Sequence, residues 1–357
     1  MFSAMFLSLF MLSLLSGVQA DKTLRLALSG PEEVHNVDNF AVVAKVTNTG
    51  SETIRLYKDP HSAIDDFPEN TFTVTSEEGD TPEFIGAKVK WSYKAATEFI
   101  TLAPGESHEV THQLGDAYNF SKRTTYAITP QATLYALPSG KNPYPVPIVA
   151  SMPEAKHTAK LSGSLISTVV AKRNLEHAEF LQARSLEKRI SFSGGCTASQ
   201  RTTINTAATN ALKYTTGAVS YLSGFARTKR YRTWFGAYTI SNKNKVLDHF
   251  KKIQSGNPKS YKYDCACVRD GVFAYVYSAT FGTVYLCPAF WAAPALGTDS
   301  KAGTIVHESS HFNRNGGTDD YAYGQVAAAA LAVSNPKQAI MNADSHEYFA
   351  ENTPALP

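Results

Sequence analysis

The sequence predicts a multidomain protein in which an all-β, sandwich-like unit precedes a mainly α (α+β) unit. Three observations carry this expectation. Short alternating or β-branched runs fill the chain to about residue 136, and helical spacing takes over further on. All four cysteines lie after residue 190, and the charge changes sign at the same place. Residues 21–189 hold 18 Lys+Arg and 21 Asp+Glu, whereas residues 190–357 hold 16 and 10, so an acidic part joins a basic one. A chain of 357 residues has room for both. The formal net charge of +3, with no Lys/Arg block, gives no footing for nucleic acid as a partner.

The first element is an address. MFSAMFLSLFMLSLLSGVQA is an apolar run that ends in small residues at Val18-Gln19-Ala20, so residues 1–20 read as a secretory signal peptide. Its start lacks the usual Lys or Arg, and a membrane anchor is the competing reading. No later stretch approaches the ~18 consecutive apolar residues of a membrane span. The expected product is a secreted, extracellular, soluble monomer with no membrane partner.

The runs LRLAL, FAVVAKVTN, IRLYK, FTVTS, VKWSY, EFITL and YAITPQATLYAL follow, punctuated by turns such as Asn48-Thr49-Gly50 and Pro104-Gly105. Such spacing predicts a β-sandwich over about residues 21–150. A stretch with Pro143, Pro145, Pro147 and Pro153 then opens a linker, with a helix over 170–188. Residues 197–223 carry Ile204, Ala208, Leu212 and Val219 at helical spacing, and 246–253 is a second helix. Phe273–Leu286 reads as strands around Phe281-Gly282. Three short helices follow from Lys301, broken at Gly316-Gly317 and at Asn335-Pro336.

Cys196, Cys265, Cys267 and Cys287 are an even count in a secreted chain, which predicts two disulfides. Cys265 and Cys267 are poorly placed to bond each other, so each takes a separate partner and two connectivities remain open. A four-cysteine zinc site is the rival, but the chain lacks paired C-x-x-C knuckles. Leu186-Glu187-Lys188-Arg189 is a dibasic step at the charge and cysteine boundary. Processing after Arg189 would divide 21–189 from 190–357.

The chemistry concentrates in Gly303-Thr304-Ile305-Val306-His307-Glu308-Ser309-Ser310-His311. H-E-x-x-H on a helix sets two imidazoles one turn apart on one face, where both can ligate Zn²⁺ while the glutamate faces its water. An exposed polar helix with satisfied histidines is the competing reading. A third ligand is needed. The metzincin pattern requires glycine at position 314 and histidine at 317, where this chain has Arg314 and Gly317. No glutamate occurs between His311 and Glu347. The turn at Gly316-Gly317 leaves Asp319 or Asp320 as the third ligand, undecided on these grounds.

Gly317-Thr318-Asp319-Asp320-Tyr321-Ala322-Tyr323-Gly324 fits G-T-x-D-x-x-Y-G, the second signature of the aspzincin metallopeptidases (deuterolysin family), which the chain therefore resembles. It is similar, closer still, to the fungal peptidyl-Lys metalloendopeptidases through RYRTWFGAY (230–238), YDCACVRDGVFAYVY (263–277), FGTVYLCPAFW (281–291) and MNADSHEYF (341–349). The resemblance covers nearly all of 190–357, and deuterolysins proper usually carry more cysteines.

This resemblance implies a zymogen, with 21–189 as propeptide and 190–357 as a zincin-type zinc metalloprotease domain acting on protein and peptide substrates. It makes His307, His311 and Asp320 the ligands of one Zn²⁺, Glu308 the base and Tyr323 the oxyanion donor. It pairs Cys196 with Cys265 and Cys267 with Cys287. Asp344 and Glu347, three apart on a helix, match acids that bind the lysine on the primed side of the cut. A solvated helix face is their plainer reading, a broad-specificity deuterolysin-like protease the second function, and an inactive secreted zinc-binding protein the third. The N-terminal part has no cysteine, which excludes a cysteine switch; its sequon, Asn119-Phe120-Ser121, is a candidate glycosylation site.

Overall fold

The computed structural model describes residues 22–138, 143–186, 189–224 and 227–357. The leader 1–20 and Glu187-Lys188 of the dibasic step lie outside the described residues. Leu24–Ser29 and Ala41–Asn48 bury every second side chain, as a pleated strand with one face on a core must. Ala41–Asn48 pairs antiparallel with Leu24–Ser29 and with Ser107–Gln113, and Ser151–Glu154 adds a parallel edge strand. A second sheet orders Glu33–Asn36, His157–Ser164, Thr125–Pro130 and Phe72–Ser76. A third orders Val146–Val149, Thr133–Ala136, Ile54–Tyr57 and Phe99–Leu102. Leu26, Val42, Leu56, Val74, Ile128 and Leu134 from all three sheets share one core, so the layers form a sandwich.

The proline-containing stretch, read from the sequence as the start of a linker, carries strands out to Ser164. Pro147 and Pro153 are tolerated because their strands are sheet edges, where a missing N–H breaks no ladder. Asn119 of the sequon is exposed. The helix Thr168–Leu186 then straps the second unit. The Arg173 guanidinium lies 3.8 Å from the Tyr277 ring, and Arg184 donates to the Gly256 carbonyl and to Ser260 Oγ at 2.6 and 2.7 Å.

Beyond Cys196 the chain is mainly helical. Ala198–Ser223 opens on a capping box in which Thr197 and Gln200 exchange hydrogen bonds. Its buried Ile204, Ala207, Ala208 and Ala211 meet Ile240–Gly256 and Lys301–His311, and the small side chains permit close packing. Phe235, Phe250 and Phe349 complete this core. The helices expected after Lys301 are Lys301–His311, Gly324–Ser334 and Ala343–Glu351, with a single turn at Pro336–Ala339. The cysteines pair as Cys196–Cys265 and Cys267–Cys287. No helix among the described residues is long and apolar enough to cross a membrane.

One strand departs from its expected place. The run VKWSY, a sandwich strand in the sequence reading, supplies Ala87–Trp91 as the fifth strand of the C-terminal sheet Ser191–Ser193, Lys262–Asp264, Thr283–Leu286, Val272–Tyr277. It pairs antiparallel with Val272–Tyr277. Val89 and Trp91 pack with Tyr57, Phe67 and Val272 in a cluster that straddles both units. Every side chain of this strand is buried, both lysines included, so neither face belongs to solvent.

The helical core sets the stability of the second unit. Phe250→Ala, at a fully buried site, should cost about 3–5 kcal/mol in urea unfolding, against a change within about 0.5 kcal/mol for exposed Lys213→Ala.

Candidate active site

Ser300 Oγ accepts from Gly303 N at 2.9 Å and starts the helix Lys301–His311. Spacing of four residues puts His307 and His311 on one face, ring centroids 4.8 Å apart, and both are fully buried. His311 Nδ1 lies 2.9 Å from the Thr318 carbonyl, to which it donates, leaving Nε2 as an electron-pair donor. His307 is turned the same way by a carboxylate, with Nδ1 2.8 Å from Asp344 Oδ1.

Gly317, at φ +56°, reverses the chain after the helix. Asp319 N donates to the Met341 carbonyl and Ala343 N to that of Asp319, while Asn342 Oδ1 accepts from Tyr321 and Ala322. This clamp aims Asp320 at the histidines. Its Oδ1 is 3.3 Å from His307 Nε2 and its Oδ2 3.2 Å from His311 Nε2. Asp319 points away, with its side chain 49% exposed against 5% for Asp320. The backbone thus separates two acids that spacing alone left equivalent.

These donors suit a small divalent cation. His307 Nε2, His311 Nε2 and both Asp320 oxygens are buried without a hydrogen-bond partner, a costly state for polar atoms that nothing ligates. Separations of 3.2–3.3 Å exceed a good N–H···O bond, yet they equal the edge of a tetrahedron with ligands about 2.0 Å from its centre. The fit is therefore to zinc-like coordination. Both Glu308 oxygens are also unpartnered, and burial pushes that carboxyl up to about 8. Tyr323 precedes the helix Gly324–Ser334, and its hydroxyl hydrogen-bonds His61 Nε2.

Asp344 and Glu347 are 1% and 0% exposed, which removes the solvated-face reading. Between them sits an ammonium. Lys90 Nζ is 2.6 Å from Glu347 Oε2, 3.4 Å from Asp299 Oδ1 and 3.7 Å from Asp344 Oδ1. The Phe273 and Tyr348 rings lie 5.2 and 5.7 Å from it. Burial opposes the Lys90 charge, but the three carboxylates hold its pKa well above the usual lysine range. Burial works against Asp344 as well, yet Lys90 and His307 keep its carboxyl low, whereas burial pushes Glu347 up.

Sequence reasoning missed Asp299, Phe273 and Tyr348, which wall this pocket, and Gly303, where a Cβ would collide with the Glu351 and Glu347 carboxylates. Asp299 carried one weak signal, its place beside the capping Ser300. The family signal is much stronger: residues 223–351, a span holding the histidines, Asp320, Asp344 and Glu347, match the model described as lysine-specific metallo-endopeptidase. Over 99% of both chains the protein is 45% identical to the peptidyl-Lys metalloendopeptidase of Grifola frondosa.

The chain belongs to the lysine-specific metallo-endopeptidase family.

Two further relatives bracket it. The peptidyl-Lys metalloendopeptidase of Pleurotus ostreatus is 56% identical, matching 45% of this chain along 97% of its own length. An extracellular protease of Aeromonas hydrophila is 35% identical over 90% of each. The chain is thus a metalloendopeptidase, and its metal, implied by the family, has a fitting donor set in His307, His311 and Asp320.

Asp320→Ala should abolish stoichiometric zinc binding, measured as metal content by mass spectrometry. Asp344→Asn, at a residue that meets His307 through Nδ1 rather than through the metal-facing nitrogen, should weaken zinc by about 10–100-fold in chelator competition.

Proposed function

We propose that the protein is a secreted, monomeric zymogen of a zinc endopeptidase that cuts on the amino side of lysine. Residues 1–20 serve as signal peptide, 21–189 as propeptide and 190–357 as the catalytic domain, released by cleavage after Arg189, which is exposed. The observation that carries the specificity is the buried pocket of Asp299, Asp344 and Glu347 around a lysine ammonium, with Asp344 also touching a histidine of the metal-fitting triad. The relatives named peptidyl-Lys metalloendopeptidase support the same reading.

His307, His311 and Asp320 would hold a zinc ion, which would supply Lewis acidity toward a water and the scissile carbonyl. Glu308, buried next to His307 with both oxygens unpartnered, would take a proton from that water and return it to the leaving amine. Once His61 has left with the propeptide, the Tyr323 hydroxyl is free to donate to the oxyanion. Glu347, Asp344 and Asp299 bind the ammonium of the residue that follows the cut, and the Phe273 and Tyr348 rings line its stem.

Asp344 also accepts from Gly324 N at 2.6 Å, next to Tyr323. One carboxylate therefore ties the pocket to both the metal ligand and the hydroxyl donor.

Glu308→Gln is expected to keep zinc and lose about 10²–10⁴-fold in kcat on a lysine-containing peptide. Asp344→Asn with Glu347→Gln in the processed enzyme should erase the preference for lysine. Mass spectrometry of peptides cut from a denatured protein, with and without chelator, reads the outcome; an unchanged lysine-only profile would refute the pocket assignment.

A further inference from the structure

The pocket just described is filled by the protein itself. Lys90 belongs to Ala87–Trp91, and that strand reaches across from the N-terminal unit to pair with Val272–Tyr277, the last strand the C-terminal unit contributes to its own sheet. The register is Val272 opposite Trp91, Ala274 opposite Lys90, Tyr275 opposite Val89, Val276 opposite Lys88 and Tyr277 opposite Ala87. An extended peptide bound through a sheet edge uses its main chain for affinity and alternate side chains for selection. Lys88 and Lys90 are such an alternate pair, projecting to the same face. Lys88 Nζ donates to the Thr318 carbonyl at 2.7 Å and pairs with Asp319 Oδ1 at 2.5 Å, beside the metal-fitting loop. Lys90 enters the acidic pocket.

The peptide bond before Lys90 is equally well placed. Its carbonyl, that of Val89, lies 3.2 Å from His61 Nε2, the nitrogen that also engages the Tyr323 hydroxyl. His61 is fixed from behind by Asp59 Oδ1, 2.7 Å from Nδ1. If lysine follows the cut, Val89 supplies the acyl group of the bond in question, and here its oxygen and Tyr323 share one imidazole. The Nε2 of that ring engages both the Val89 carbonyl and the Tyr323 hydroxyl, so it occupies the place from which the hydroxyl would reach an oxyanion.

Resting on the proposed lysine specificity, we propose that Ala87–Trp91 is a built-in pseudosubstrate, with Lys90 in the specificity pocket and Val89-Lys90 in the place of the scissile bond. The N-terminal unit then acts as a competitive inhibitor of the domain that follows it. It blocks the pocket through Lys90, the main-chain rail through strand pairing and Tyr323 through His61.

The test uses the full chain cut at the dibasic step, so that both units are present but no longer covalently joined. Inhibition of a fluorogenic lysine peptide is read over a dilution series. Lys90→Met should raise the inhibition constant by at least about 100-fold, because a buried acidic cluster loses its cation. Lys90→Arg should raise it by about 10-fold, since a planar fork fits a site shaped for an ammonium poorly. Exposed Lys94→Ala should change nothing. A second measurement needs no change to the strand and so survives any misfolding of these variants. In the Glu308→Gln background, a peptide with lysine after the scissile position should displace the N-terminal unit at equilibrium in size-exclusion chromatography, and its norleucine counterpart should not.

Wild-type inhibition by Lys90→Met, or equal action of the two peptides, overturns the proposal. A cleavage profile without lysine preference would instead overturn the specificity it rests on, a result obtained on the processed enzyme and independent of Lys90.

Discussion

Glu308, Asp344, Glu347 and Glu351 are all buried around the contact between the helices Lys301–His311 and Ala343–Glu351. A protein interior does not hold that much negative charge unless cations or protons come with it. The rest of the site follows from how each acid is answered. Glu351 takes two hydrogen bonds from Ser300, and its pKa rises to about 9, so it holds its proton at neutral pH. Glu347 and Asp344 share the Lys90 ammonium. Glu308 faces the donor set that fits a metal. Even Gly303 belongs to this arrangement, because any side chain there would displace the carboxylates packed over the helix.

Asp344 links the parts most tightly. It contacts His307 Nδ1, accepts from Gly324 N and lies 3.7 Å from Lys90 Nζ. A change in what occupies the pocket therefore alters the electrostatic setting of His307 and of the turn that carries Tyr323. His61 closes the assembly from the other unit. Burial works against its charge, but the Asp59 carboxylate outweighs this and holds its pKa at about 9, so the ring is an imidazolium near neutral pH with a donor on each side.

The sequence made the local parts of this site readable. H-E-x-x-H and the turn at Gly316-Gly317 act over one helix and one reversal, and spacing alone decides which side chains can meet. The strands of the sandwich and the long helices showed for the same reason. Ala87–Trp91 did not. Alternation identifies a strand but not its partner, and lysines flanking a valine look like the wet face of a half-buried sheet. Their actual neighbours, Asp319, Asp344 and Glu347, lie more than 200 residues away along the chain. Asp299 escaped because it stands in a loop whose path is set by packing rather than by periodicity. The choice of Asp320 over Asp319 needed the backbone clamp from Asn342, which no local pattern encodes.

The pairing of Ala87–Trp91 with Val272–Tyr277 has a colloidal consequence. While the two units stay together, the C-terminal sheet ends on a strand supplied from outside, and the Val272–Tyr277 ladder is satisfied on both sides. Separation would strip that cover and leave a row of unpaired amides beside Val272, Phe273, Ala274 and Val276, an open template for any extended chain. In the intact chain the sandwich therefore covers an edge that a liberated C-terminal unit would present to other extended chains, its own copies included.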